Sequence, residues 1–169
     1  MEIRLSGIVE ESIVDGKGIR FVVFTQGCPH NCKGCHNPHT HDFAGGYIDD
    51  TDNLFEKFME DPILKGVTFS GGEPFMQPKP LIELAKKIHT LKNKDVYCYS
   101  GFTFEEILNS NNKDRVELLN NIDVLIDGKF IEELKNLELS FRGSENQRVI
   151  DVKKSLQENK IVLLDGIDY

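Results

Sequence analysis

Cys28, Cys32 and Cys35 fall within eight residues, in the run Gly27-Cys28-Pro29-His30-Asn31-Cys32-Lys33-Gly34-Cys35. The spacing C-x3-C-x2-C puts three soft thiolates on one short loop, and thiolates of this kind suit zinc or iron–sulfur centres. A closed tetrahedral site needs a fourth ligand. The centre therefore either recruits one from elsewhere or keeps one position open for chemistry. Pro29 and Gly34 help the loop fold back so that the three sulfurs reach one centre. On spacing alone, two readings stay open. One is an iron–sulfur cluster with one iron free of protein ligands. The other is a zinc site completed by His30, His36, His39 or His41. A purely structural trio of buried thiols is the poorer account, because free cysteines seldom cluster so tightly.

A second run is Ser70-Gly71-Gly72-Glu73-Pro74. Two glycines after a strand let the backbone approach a ligand or take positive φ, Glu73 offers a carboxylate, and Pro74 fixes the exit. Read alone, this is equally well a strand-end turn with a solvated glutamate. Tyr99-Ser100-Gly101 and Asp127-Gly128-Lys129 are further candidate strand ends. His30 and His36 flank the cysteine loop and are placed to tune a centre through hydrogen bonds. His89 reads as a solvated histidine, Cys98 as a buried strand residue, and Arg142 and Arg148 as either surface charges or ligand contacts.

These residues need elements to hold them. Residues 19–25 are rich in β-branched and aromatic side chains and read as a strand, with an earlier strand over 3–9. Residues 49–59 carry Leu54, Phe55, Phe58 and Met59 at helical spacing, with Thr51 or Asp52 as cap. A short buried strand covers 66–70, and an amphipathic helix 79–91 has Leu81, Leu84, Ala85, Ile88 and Leu91 on one face. Strands follow at 95–99 and 122–126. Between them Thr103 and Glu106 form a capping-box pattern for a helix over 104–109. Residues 130–137 read as helix or turn. Short strands are expected at 148–152 and 161–164, with a helix 153–158 between them.

Strands alternating with helices predict a mainly parallel sheet with right-handed crossovers. Ligands of such sheets collect at the C-terminal strand ends, which is where the cysteine loop and the glycine-marked runs fall. The units are too few for eight strand–helix pairs. The expected fold is a single-domain α/β structure over 1–169, an incomplete, open β/α barrel. At 169 residues, 39% hydrophobic and 28% charged, the composition is that of a soluble globular protein. A formal net charge of −8 argues against broad affinity for nucleic acid or an anionic membrane. No apolar run approaches a membrane span, and Met1-Glu2-Ile3-Arg4-Leu5 lacks the start of a signal peptide. With the clustered cysteines, this places the chain in the cytoplasm.

The cysteine loop together with Gly71-Gly72-Glu73-Pro74 resembles the radical S-adenosylmethionine (SAM) superfamily. Val14-Asp15-Gly16-Lys17-Gly18-Ile19-Arg20 before Gln26-Gly27-Cys28 is similar to the opening of glycyl-radical-enzyme activases. Cys35-His36-Asn37-Pro38, Asp127-Gly128-Lys129 and Arg142-Gly143-Ser144-Glu145-Asn146-Gln147-Arg148 look most like the small branch that activates anaerobic ribonucleoside-triphosphate reductase. Gly34 precedes the third cysteine, where much of the superfamily has an aromatic residue and this branch often has glycine. Thr40-His41 stands where the branch often carries tryptophan. The resemblance covers nearly the whole chain.

It implies that Cys28, Cys32 and Cys35 hold a 4Fe-4S cluster whose open iron takes the amino and carboxylate groups of SAM. Reductive cleavage of SAM then gives a 5′-deoxyadenosyl radical, which abstracts hydrogen from a glycine of the reductase. Gly71, Gly72 and Glu73 are implied around the methionine end of SAM, with Glu73 facing its ammonium group. Ser100 and Gly101 are implied near its middle, Asp127 near its carboxylate, and Asp15 against the partner's glycine loop. A reduced donor such as flavodoxin is implied as the electron source. Alternatives are a radical SAM enzyme acting on a small molecule, such as a deazapurine synthase, and a non-catalytic zinc-binding interaction module.

Overall fold

The computed structural model describes residues 1–167; the last two residues of the expected 1–169 domain lie outside the described residues. Seven strands among them form one open sheet: β1 (Glu2–Ser12), β2 (Arg20–Thr25), β3 (Tyr47–Asp50), β4 (Gly66–Gly71), β5 (Asp95–Tyr99), β6 (Val124–Asp127) and β7 (Arg148–Asp151). Their order is β3-β1-β2-β4-β5-β6-β7. The four central strands β2, β4, β5 and β6 are parallel, and both flanks are antiparallel. The α/β class, the mainly parallel core and the failure to close all agree with the sequence. No helix among the described residues is long and apolar enough to cross a membrane.

Residue alternation along the strands divides the sheet into two faces. Phe21, Val23, Val67, Phe69, Val96, Cys98 and Leu125 point to one face, where they share a core with Leu54, Phe58, Leu81, Leu84, Ile88, Ile107 and Leu118. Those partners come from the helices α1 (Thr51–Met59), α2 (Pro78–His89), α3 (Phe104–Leu108) and α4 (Lys113–Asn120). Tyr97, Val124, Ile126 and Val149 face the other way and pack with Tyr99, Leu164 and Ile167. Helix α5 (Val152–Glu158) follows β7.

The opposite face also holds Arg20, whose side chain is fully buried. Its guanidinium donates to Thr68 Oγ1 (2.7 Å), the Lys17 carbonyl (3.0 Å) and the Val67 carbonyl (2.9 Å). It pairs with Asp95 at 2.8 Å and lies 4.0 Å over the Tyr97 ring. A buried charge is tolerable only when so saturated. Thr68 Oγ1 in turn donates to the Asp15 carbonyl at 2.8 Å. Gly16, at φ +131°, passes so close that a Cβ there would lie 2.7 Å from the Tyr97 ring. The 13–19 loop is thereby folded back under the sheet, which carries Asp15 inward.

Several sequence expectations need correction. Helix α1 is capped by Asp50, whose side chain accepts from Asp52 N, and not by Thr51 or Asp52. Residues 47–50 are an edge strand paired with β1, a long-range contact that a four-residue segment does not announce. Helix α4 begins at Asn112, which caps Asp114 N and Arg115 N inside a polar run without helical periodicity. The 161–164 segment makes only a bridge between Ile150 and Leu163. Thr103 caps α3 through Glu106 N as expected, but the Glu106 carboxylate takes the Thr103 hydroxyl.

His89 is not simply solvated. Its Nε2 donates to Asp123 at 2.7 Å, and Asp123 also accepts from Val96 N and pairs with Lys153. Burial pushes the Asp123 carboxyl up, but the hydrogen bonds from His89, Lys153 and Val96 outweigh it and hold the carboxyl at about 2. The sign follows from that depression. The cluster's contribution is complete above the ordinary aspartate value and is lost as pH falls toward 2. Native protein should therefore lose about 2 kcal/mol between pH 5 and pH 2 from this site. Asp123→Asn should remove that component, which denaturant titrations of both proteins across the range will measure.

Candidate active site

The C-terminal ends of β2, β4, β5 and β6 lie along one edge of the sheet, as their parallel register requires. A cavity of about 370 Å³ opens there. Cys28, Cys32 and Cys35 line it together with Ser70, Gly71, Gly72, Ser100 and Gly101. Asp15, Tyr99, Lys129, Phe141 and Arg142 contribute further wall. The convergence of strand ends expected from the sequence is thus present.

Backbone hydrogen bonds seat the cysteine loop. Gly27 N donates to the Thr40 carbonyl at 2.6 Å and Cys28 N to the His41 carbonyl at 3.2 Å, closing the base of the loop. Glu73 N donates to the Gly27 carbonyl at 2.8 Å. That contact explains Gly72, since a Cβ there would sit 2.5 Å from the Gly27 oxygen. Gly71 is needed for its φ of +99° and for its approach to Thr25.

The thiols themselves face backbone donors. Asn37 N donates to Cys35 Sγ at 3.4 Å. Backbone N–H groups of His30 and Phe130 serve Cys28 and Cys32. Burial pushes both of those thiols up, so a metal that binds them must displace protons. A cluster places its thiolates on separate irons, and N–H donors to the sulfurs are what tune it. Three thiols on one loop, each facing a backbone donor, are a donor set that a 4Fe-4S cluster takes.

Glu73 and Asp127 lie directly behind the lining residues. Glu73 is fully buried behind the wall and does not line the cavity. Its Oε1 accepts from His30 Nε2 (2.6 Å), Gly101 N (2.8 Å) and Ser100 Oγ (3.0 Å), and its Oε2 from Phe75 N (2.9 Å) and Ser100 Oγ (3.0 Å). Asp127 is also buried and off the cavity wall. Arg148 grips it with two bonds, of 3.0 and 2.6 Å, and Phe104 N donates to it at 2.8 Å. Arg148 extends to Glu105, whose carboxyl the guanidinium holds below its ordinary value. Arg148 is consequently not a cavity residue, whereas Arg142 is.

The connection between β6 and β7 completes the wall. Tyr99 donates its hydroxyl to the Phe141 carbonyl at 2.7 Å, tying the β6–β7 connection over the cavity. Burial raises the Tyr99 hydroxyl well above the usual tyrosine range, so it stays a neutral donor. Phe141 takes φ +62°, a strained conformation for an aromatic residue. Gln147 accepts from Gly143 N and Ser144 N and donates to the Gly128 carbonyl. His36 lies 5.0 Å from the Phe130 ring. The Gly-Ser-Glu-Asn-Gln run was the only hint of this connection. Cys98 is fully buried in the apolar core, as expected.

The Glu73 geometry gives a direct test. Glu73→Ala leaves donors on three loops without an acceptor and should cost about 2–4 kcal/mol in denaturant unfolding. Glu73→Gln, which keeps one acceptor oxygen, should cost less. An unchanged midpoint for both would show that the carboxylate braces nothing.

With this geometry in hand, comparison with known proteins is informative. Residues 14–150 match the family model described as a 4Fe-4S single cluster domain. Proteins called anaerobic ribonucleoside-triphosphate reductase-activating protein match over most of the chain. Those of Salmonella typhi (34% identical) and Escherichia coli K12 (32%) each cover 81% of this chain and 91% of their own length. That of Vibrio cholerae (36%) covers 80% and 89%. A solved structure, QueE from Escherichia coli, aligns with a TM-score of 0.48 and 16% identity over 61% of this chain and 54% of its own, a likeness too weak to add to the fold read above. At that identity and coverage, with three thiols on one cavity wall, the chain belongs to the family of anaerobic ribonucleoside-triphosphate reductase-activating proteins.

Proposed function

We propose that this chain, acting as one catalytic domain, activates an anaerobic ribonucleoside-triphosphate reductase by reductive cleavage of SAM and formation of a glycyl radical on that partner. The observation that carries the reading is the shared wall: Cys28, Cys32 and Cys35 border the same cavity as Gly71, Gly72, Ser100 and Gly101. When bound, a 4Fe-4S cluster and SAM supply one-electron cleavage of a carbon–sulfur bond and a hydrogen-abstracting group, which no side chain here can supply.

The chain's own task is to hold, orient and shield. The three cysteines hold the cluster, and the backbone donors at each sulfur keep the thiolates aimed. Gly71 and Gly72 let backbone at the end of β4 approach the methionine end of SAM, and Ser100 and Gly101 border its middle. Glu73 acts on that pocket from behind the wall, through Ser100 and Gly101, and Asp127 acts through the Gly128-Lys129 turn that follows it. Tyr99 and Phe141 narrow the water-exposed side. Asp15, carried in by the Arg20–Thr68 contacts and hydrogen-bonded by Ser12 Oγ at 2.6 Å, stands on the wall where the partner's glycine loop would enter. The electron comes from a reduced donor such as flavodoxin, and the work is done in the cytoplasm.

Anaerobically reconstituted protein, reduced and given SAM, should form 5′-deoxyadenosine and, with the reductase, a glycyl radical signal in electron paramagnetic resonance. Cys28→Ala, Cys32→Ala and Cys35→Ala should each fall to background in both assays and lose bound iron. Zinc without iron and sulfide in the anaerobically purified protein would sink the proposal.

A further inference from the structure

His30 sits on the cysteine loop, midway between Cys28 and Cys32, yet its ring points into the ligand loops. Its Nε2 donates to Glu73 Oε1 at 2.6 Å, and its side chain is only 5% exposed. Phe102 meets the ring edge-on at 4.5 Å, and Arg115 lies 4.9 Å over Phe102 from the far side. The Arg115 guanidinium is fixed in turn by the Phe75 carbonyl at 3.1 Å. Gly101 completes the enclosure. A Cβ at that position would lie 2.4 Å from His30 Cδ2, 2.6 Å from Nε2 and 2.8 Å from Cγ. Gly101 is not among the glycines at positive φ. The imidazole, not a backbone conformation, is what requires glycine there.

We propose that His30 is a positioning residue that couples the thiolate loop to the SAM pocket, its imidazole setting the seat of residues 28–35 over Gly101 and the orientation of Glu73. The proposal rests on the function proposed above. Backbone bonds close the base of the loop, from Gly27 N to the Thr40 carbonyl, Cys28 N to the His41 carbonyl and Glu73 N to the Gly27 carbonyl. Beyond that base His30 supplies a buried side-chain tie, at the loop's other end from the exposed Lys33–Glu132 pair. It meets the one carboxylate that also holds Ser100 and Gly101, so a shift of the ring moves the sulfurs and the pocket wall together. A histidine that merely packs would stabilise the fold without registering the two groups against each other.

The test uses full-length protein loaded anaerobically with iron and sulfide: wild type, His30→Ala, His30→Gln, Gly101→Ala, and the His30→Ala/Gly101→Ala double variant. Cluster content, thermal unfolding, SAM affinity and the spectrum of the reduced cluster with and without SAM are read for each. His30→Ala should weaken SAM about tenfold, as expected for loss of one charge-assisted hydrogen bond at a site's border. It should also change the SAM-induced shift in the spectrum. His30→Gln, whose amide N–H can still donate to Glu73, should recover affinity to within about threefold of wild type. Gly101→Ala should reproduce His30→Ala by displacing the ring, and the double variant should be no worse than His30→Ala. Wild-type affinity and spectrum in His30→Ala, or independent addition of the two substitutions, would overturn the coupling while leaving the activase reading intact. A wild-type protein that holds no cluster, or whose spectrum ignores SAM, would overturn the activase reading and this proposal with it.

Discussion

A carboxylate with no water to solvate it must be satisfied entirely by the protein, and Glu73 shows what that requirement organises. Its two oxygens take hydrogen bonds from the cysteine loop, from the end of β5 and from its own turn. No single loop could saturate it. The three loops are therefore held at mutual distances fixed by hydrogen-bond lengths, and leaving any donor out would cost the desolvation of a buried polar group. The interlocking glycines follow from the same constraint. Gly72 and Gly101 stand where loops drawn this close leave no room for a Cβ.

The sheet supplies the frame on which that carboxylate can act. Parallel register brings four strand ends to one edge, and alternation sends apolar residues to the helix layer and a mixed set to the opposite face. That mixed face needs Arg20. Its guanidinium satisfies carbonyls on two strands and the incoming 13–19 loop, and it stacks on Tyr97. Replacing such a buried cation with an apolar side chain would remove the 2.8 Å ion pair with Asp95 and a donor to the Lys17, Val67 and Asp95 carbonyls. The path from Arg20 through Thr68 to the Asp15 carbonyl thus makes the floor of the sheet responsible for a residue on the cavity wall.

Much of this was legible in the sequence because glycine punctuates the strand ends. The Gly27-Cys28, Gly71-Gly72, Ser100-Gly101 and Gly128 positions could be placed on one edge before any coordinates, since alternating strands and helices dictate a parallel sheet. What the sequence could not say is which way a side chain turns after the punctuation. Glu73 and Asp127 take hydrogen bonds from His30 and Arg148, 43 and 21 residues away along the chain, and no local pattern announces those partners. His89 was misread for the same reason, its partner Asp123 lying 34 residues on. Strand β3 and helix α4 were missed because pairing with β1 and a cap at Asn112, rather than local periodicity, define them.

The two buried carboxylates spend their oxygens on donors from other loops, so the cavity wall is built from other groups. The wall carries thiols, glycine backbone and hydroxyl, the imidazoles of His30, His36 and His41, the apolar side chains of Phe130 and Phe141, and the charged side chains of Asp15, Lys129 and Arg142. A zwitterionic ligand entering here would meet backbone dipoles and peripheral charges of both signs rather than one strong counter-ion. A wall of such mixed groups can orient a ligand at several points, which matters where the reacting bond must be held against a centre on the cysteine loop. The carboxylates act as ties whose geometry the wall inherits, and this is why His30 and Arg148, which hold them, bear on the site as directly as the residues that line it.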